Sequence, residues 1–132
     1  TDSDIVSIHV RLSDRTRGLV AAQELDMMKS SSYLINISRG PIVVEQDLIE
    51  ALKAGSIAGA ALDTFDIEHL NPDHPLLTQP NVLSTPHIGY VTREGYQAFY
   101  SGVVEDINGY LGGEPIRVIN PDVLHSPTLR KS

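Results

Sequence analysis

The sequence predicts an α/β fold: a parallel sheet with helices between its strands, followed by one long C-terminal helix. Three observations carry this. Short apolar, β-rich runs alternate with stretches of helical period. The helical stretches are about ten residues long, the spacing of βαβ units, whose crossovers are right-handed. The strand runs are continuously apolar, as expected of a sheet covered on both faces.

The elements follow in order. Residues 5–10 form the first β-rich run, Ile5-Val6-Ser7-Ile8 at its heart. Residues 20–28 carry Val20, Leu25 and Met28 at helical spacing, and residues 33–37 (Tyr33-Leu34-Ile35-Asn36-Ile37) form a buried strand. The next helix spans 45–54, with Leu48, Ile49 and Leu52 on one face and Gly55 as the residue that ends it. A strand at 57–62 is rich in small residues, which let neighbouring elements approach closely. Residues 63–81 read as a loop rich in Asp, Pro and His with no helical period, and residues 82–84 as a fourth strand. The last helix has the strongest period: Tyr96, Phe99, Tyr100, Val103, Val104, Ile107, Tyr110 and Leu111, with Thr92 as N-cap and Gly112-Gly113 as its stop. Such a stripe is expected to be core rather than a ligand surface. Residues 121–132 show no period and are expected to fray.

The bulk properties narrow the function. The chain has 132 residues, 41% of them hydrophobic and 20% charged, the profile of one globular domain. A net charge of −7 argues against a nucleic-acid footprint, which needs a clustered basic surface. It does not oppose an anionic substrate, because one arginine can hold a carboxylate whatever the global charge. The absence of cysteine excludes disulfides and thiolate metal sites. No run approaches the length of a membrane span and no signal peptide opens the chain, so a cytoplasmic protein is expected. The chain begins at Thr1 rather than Met, almost directly on a strand, and is expected to be a piece of a longer protein.

In an open parallel sheet, ligands bind beyond the carboxyl ends of the strands. The residues that follow each run are His9, then Ser38-Arg39-Gly40, then Asp63 with Glu68 five residues on, then Thr85-Pro86-His87. One edge therefore receives a guanidinium, carboxylates and an imidazole. Arginine offers a rigid fork for a carboxylate, and histidine gives or takes a proton near neutrality. Together they suit reduction of a 2-oxo acid by a hydride that no side chain can supply. Each residue also has a plain reading. Arg39 alone could be a surface arginine, Glu68 a solvated acid and His87 a strand-end histidine. The His69/His74 pair with nearby acids lacks a recognisable ligand spacing, so no metal site is expected.

The three segments Asn36-Ile37-Ser38-Arg39-Gly40, Leu62-Asp63-Thr64-Phe65-Asp66-Ile67-Glu68 and Thr85-Pro86-His87-Ile88-Gly89 resemble, in order and spacing, the signatures of the D-isomer-specific 2-hydroxyacid dehydrogenases. The resemblance runs from about residue 4 to residue 120. It implies a Rossmann-like fold, with residues 1–119 as the second half of a dinucleotide-binding domain plus its return helix and 120–132 as a tail. It also implies Arg39 as the substrate-binding arginine, Glu68 as the partner of the histidine and His87 as the acid/base. Asp63, Gly89, Ile37 and Ser38 would lie along the cofactor, which is NAD, with NADP not distinguished. His9, Val10, Arg11 and Thr16 match the loop beside the dinucleotide. The sequence departs from the family at Arg11 and His69, where proline is usual.

No G-x-G-x-x-G loop for a pyrophosphate occurs here, nor the acidic residue that would hold the ribose. The resemblance puts both before residue 1, with most of the substrate domain. The chain alone is therefore expected to bind dinucleotide poorly and to turn over little. Its first strand is expected to leave an open edge that promotes self-association, and the parent enzyme is expected to be a homo-oligomer such as a dimer. A non-catalytic dinucleotide-sensing module and an inert fragment stand as the other readings.

Overall fold

The computed structural model describes residues 2–68 and 70–125; His69 and residues 126–132, the end of the expected tail, lie outside the described residues. The chain forms two compact units, residues 1–89 and residues 90–132.

The first unit is a four-stranded sheet in the order β1 (Ile5–Ile8), β2 (Tyr33–Asn36), β3 (Gly59–Leu62) and β4 (Val82–Ser84), all parallel. Its helices are α1 (Ala22–Asp26), α2 (Glu45–Ala54) and the single turn α3 (Pro75–Thr78). The parallel α/β architecture is the one the sequence predicts. β1 and β3 are shorter than expected, and α3 forms within the loop that showed no helical period. Four residues cannot display a 3.6-residue repeat; Pro75 opens the turn, where its missing N–H costs nothing.

In register, Val6, Leu34, Ala60 and Val82 form one row across the sheet, and Ile8, Asn36, Leu62 and Ser84 another. Both rows face the core. Leu25 of α1, Leu48, Ile49 and Leu52 of α2 and Leu76 of α3 pack there with Ile42, Ile57 and Phe65. Each such side chain contributes roughly 1.5–3 kcal/mol by leaving water. The opposite face was expected to be covered too, and is not: Ile5, Tyr33 and Leu83 are each more than half exposed. All three helices of this unit that bury apolar residues do so into the one core, so the apolar character of the strands exceeds what this unit covers.

Two local arrangements bring the strand ends together. Gly55 ends α2 in the left-handed conformation, as expected, and returns the chain to β3. Residues 18–20 run beside residues 41–44 through Gly18 N–H to Pro41 O (2.9 Å), Val20 N–H to Ile42 O (3.0 Å) and Val44 N–H to Val20 O (2.8 Å). This draws the loop after β1 alongside the turn that carries Arg39.

The second unit is α4 (Arg93–Leu111) and the segment after it. The Thr92 hydroxyl caps its start by accepting from Gly95 N–H, and the helix ends at Gly112, both as expected. The expectation of a core stripe fails: no residue of α4 is buried, and its apolar side chains from Tyr96 to Leu111 are 41–69% exposed. Helical period reports an apolar face, not the presence of a neighbour to cover it. Pro121–His125 is a 3-10 turn, all exposed. Among the described residues no helix is long and apolar enough to cross a membrane.

Candidate active site

The last residues of the four strands, Ile8, Asn36, Leu62 and Ser84, lie side by side. The residues that follow them, His9, Ile37, Asp63 and Thr85, therefore share the carboxyl edge of the sheet.

Asp63 organises this edge. It is 5% exposed and accepts three hydrogen bonds: the Thr85 hydroxyl and Ile88 N–H (2.9 Å) on one oxygen, Gly89 N–H (2.8 Å) on the other. Burial acts to raise its pKa. The Thr85 hydroxyl, the two backbone donors and the charge of His87 together outweigh burial and hold the carboxyl below its ordinary value. Gly89 makes this approach close, since a Cβ there would sit 3.0 Å from the carboxylate.

The clamp holds His87 in an uncommon backbone conformation. Its φ is 57°, in the left-handed region, and its N–H closes a tight turn onto Thr85 O (3.0 Å) across Pro86. A non-glycine residue there carries strain of order 1–2 kcal/mol, which the bonds on either side maintain. His87 Nδ1 then faces both oxygens of Glu68, at 2.8 and 2.9 Å. With the carboxylate as acceptor, Nδ1 carries a proton, and the contact fixes the orientation of the ring. Beside the pair opens a cavity of about 270 Å³, lined also by Phe65, Leu70, Leu77 and Thr85.

Arg39 stands on a second fixed turn. Asn36, at 1% exposure, accepts from Ser38 N–H (3.1 Å) through Oδ1 and donates to Arg39 O (3.0 Å) through Nδ2. Gly40 follows, buried against the backbone of Phe65 and Asp66, where a Cβ would come within 2.0 Å of Phe65 C. That contact brings the Arg39 turn against the loop that carries Glu68. The guanidinium is exposed and donates to Ser38 O (2.7 Å).

The remaining predicted residues lie along the same edge. The Ser38 hydroxyl donates to Val10 O, joining the second strand end to the first. Thr16 Oγ1 donates to Arg11 O (2.7 Å) and accepts from Ser13 N–H (2.8 Å), folding the loop after β1 on itself. His9 turns back to Ser7 (2.8 Å), a local contact. Val10 and Ile37 are exposed. Thus Glu68 meets His87, Asp63 meets Gly89 and Ser38 meets Val10, while Arg39, His9 and Thr16 hold contacts within their own turns. Asn36 and Thr85 were not assigned roles from sequence. An asparagine ending an apolar strand was the available signal, because a buried amide needs partners.

Among the described residues no three histidine or carboxylate side chains gather in a metal-holding group. His69, part of the metal reading considered above, lies outside the described residues.

The chain resembles known proteins. The description "D-isomer specific 2-hydroxyacid dehydrogenase, NAD binding domain" matches residues 1–89. The chain is 45% identical over 130 residues to a glyoxylate reductase of Thermofilum pendens, covering 98% of this chain and 38% of that protein. It is 36% identical over 120 residues to a hydroxypyruvate reductase of Blautia hydrogenotrophica, covering 91% of this chain and 37% of the relative. Among solved structures, it resembles the NAD-complexed D-isomer specific 2-hydroxyacid dehydrogenase of Lactobacillus delbrueckii ssp. bulgaricus, with a TM-score of 0.80, 33% identity, and coverage of 90% of this chain and 40% of that one. The chain thus spans about two-fifths of the length of each of these three proteins.

Proposed function

The chain belongs to the D-isomer specific 2-hydroxyacid dehydrogenase family, and on that premise we propose that it supplies the catalytic edge of an enzyme that moves a hydride between a nicotinamide cofactor and a D-2-hydroxy acid or 2-oxo acid. The observation that carries the proposal is the Glu68–His87 pair at 2.8 Å, held on a strained turn beside a cavity.

The residues of the edge fit the nicotinamide half of a dinucleotide. Val10 and Ile37 offer exposed apolar surface at two adjacent strand ends, and Asp63 keeps the 85–89 turn closed beside them. The cofactor supplies the hydride when bound. The protein's own groups do the rest. Arg39 pairs with the substrate carboxylate and draws charge from the carbonyl, which favours the charge that develops on oxygen. His87 delivers a proton from Nε2 to that oxygen during reduction and recovers it during oxidation. Glu68 fixes the ring through Nδ1.

In this reading residues 1–119 are the second half of the NAD(P)-binding domain with its long helix, residues 120–132 are a tail, and the pyrophosphate loop is outside the 132 residues. NAD is the cofactor assigned, with NADP an outcome of the same assay. The enzyme works in the cytoplasm as a homo-oligomer; the unpaired edge of β1 and the uncovered apolar face of α4 support self-association.

The test is oxidation of NADH and NADPH by the gene-encoded protein with glyoxylate, hydroxypyruvate and pyruvate. Turnover with at least one is expected, and His87→Gln should lower kcat by roughly 10²–10⁴, the usual worth of a positioned acid/base. Arg39→Lys should raise KM for the oxo acid, since a point charge replaces a fork. Absence of turnover with all three acids, or a His87→Gln variant as fast as wild type, would sink the proposal. Residues 1–132 alone are expected to turn over little.

A further inference from the structure

We propose that His74 is a positioning residue that fixes the far end of the loop carrying Glu68 and thereby sets Glu68 against His87; this rests on the reading of Glu68 and His87 as a working acid–base pair.

The loop leaves β3 at Asp63 and ends where α3 begins. Asp63 anchors its near end. At its far end His74 is mostly buried, its side chain 22% exposed, and both ring nitrogens are engaged. Nδ1 accepts from Leu76 N–H at 3.3 Å, which caps α3. Nε2 faces Glu45 Oε1 at 3.2 Å. One form of the ring satisfies both contacts: neutral, with its proton on Nε2 and its lone pair on Nδ1. A cap alone requires a single acceptor, which the shorter Asn, Ser or Asp would supply. The second nitrogen reaches a different element, the first residue of α2.

That connection has a consequence for the site. Glu45 opens the helix that follows the Arg39–Gly40 turn. Through His74 the Glu68 loop is tied to the helix that follows the Arg39 turn, and Gly40 presses that turn against the loop at Phe65. His74 also holds α3 in place: its N–H bonds Asn71 O (2.8 Å) and its carbonyl accepts from Leu77 N–H (2.9 Å). Leu76 is buried and its carbonyl accepts from the Ser84 hydroxyl (2.8 Å), while Leu77 lines the cavity with Glu68 and His87. A displacement of His74 is therefore transmitted through α3 to Leu77, in the wall of the cavity that Glu68 and His87 also line.

The experiment compares His74→Asn, which keeps a cap acceptor but cannot reach Glu45, with Glu45→Ala, which removes the acceptor of Nε2 and leaves His74 in place, and His74→Gln, whose amide can again donate to Glu45. The first readout is the downfield proton resonance of His87 Nδ1–H by NMR, with Glu68→Ala as the control that removes its acceptor. The signal should be sharp in wild type and broadened or lost in His74→Asn. It should be partly kept in His74→Gln. The second readout is kcat of the gene-encoded protein, expected to fall roughly tenfold in His74→Asn with KM for the nucleotide unchanged, well inside the hundredfold that an ångström of misplacement can cost. An unchanged His87 signal in both His74→Asn and Glu45→Ala would overturn the proposal. Should His74→Asn fail to fold, Glu45→Ala decides alone. Should wild type show no turnover, the dehydrogenase reading fails, and the NMR signal still decides whether His74 places Glu68 on His87.

Discussion

Asp63 is a short side chain with three hydrogen bonds and almost no exposure, whereas α4 is a long, regular helix with none of its residues buried. The helix was the most legible element in the sequence, and the clamp among the least. What separates them is the source of their order. α4 owes its form to local period and caps, which require no other part of the molecule. The site edge owes its form to contacts between residues distant in sequence, such as Asp63 with Gly89 and Gly40 with Phe65. Substitutions should therefore be costly at the edge and nearly silent on the helix.

The largest effect is expected at Gly40. A methyl group there meets Phe65 C at 2.0 Å, Phe65 O at 2.2 Å and Asp66 N at 2.4 Å, all backbone atoms that cannot rotate aside. Gly40→Ala should cost about 3 kcal/mol or more in urea unfolding, at the upper end of overpacking effects. A cost below ~1 kcal/mol would mean that the Arg39 turn and the Glu68 loop are not held together as the contact implies.

Asp63→Asn comes next. The variant keeps the shape but loses one acceptor, leaving Gly89 N–H or Ile88 N–H unpaired, and should cost about 2 kcal/mol at neutral pH, the scale of hydrogen bonds to a charged group. The pH dependence has a definite sign. A carboxyl whose folded pKa is lowered contributes stability that is fully present above the unfolded value, about 4, and is lost as pH falls through the folded value. The gap between wild type and Asp63→Asn should hold constant from pH 7 to about 5 and narrow progressively below about 4. Urea midpoints at several pH values measure this, and a gap that widens in acid would contradict the clamp.

How far the sequence could be read follows the same division. The four strands, α2 and α4 were visible because apolar period is a property of consecutive residues. Arg39, Glu68 and His87 were visible because strand ends in a parallel sheet share an edge. The left-handed backbone of His87, the buried amide of Asn36 and the double engagement of His74 were not, because each depends on which distant groups approach. The apolar strands suggested two covered faces, and the stripe of α4 suggested a core. Both readings took an apolar surface as evidence of its cover, although residues 5, 33 and 83 and the whole of α4 are uncovered here.

The smallest effects test the helix. Gly102 lies inside α4, where a Cβ would meet nothing within 4 Å beyond its chain neighbours and the helix's own backbone, so Gly102→Ala should stabilise the chain by roughly 0.5–1 kcal/mol, the helix propensity gain alone. Phe99→Gln and Val103→Gln, both more than half exposed, should each change stability of the 132-residue chain by no more than ~0.5 kcal/mol. The same substitutions in the gene-encoded protein then become a measure of cover. If they stay silent there, the face of α4 is open in the whole molecule too. If they cost ~2 kcal/mol or more, as core truncations do, the face is buried in the whole molecule, and the contrast with the Asp63 clamp belongs to these 132 residues rather than to the gene-encoded protein.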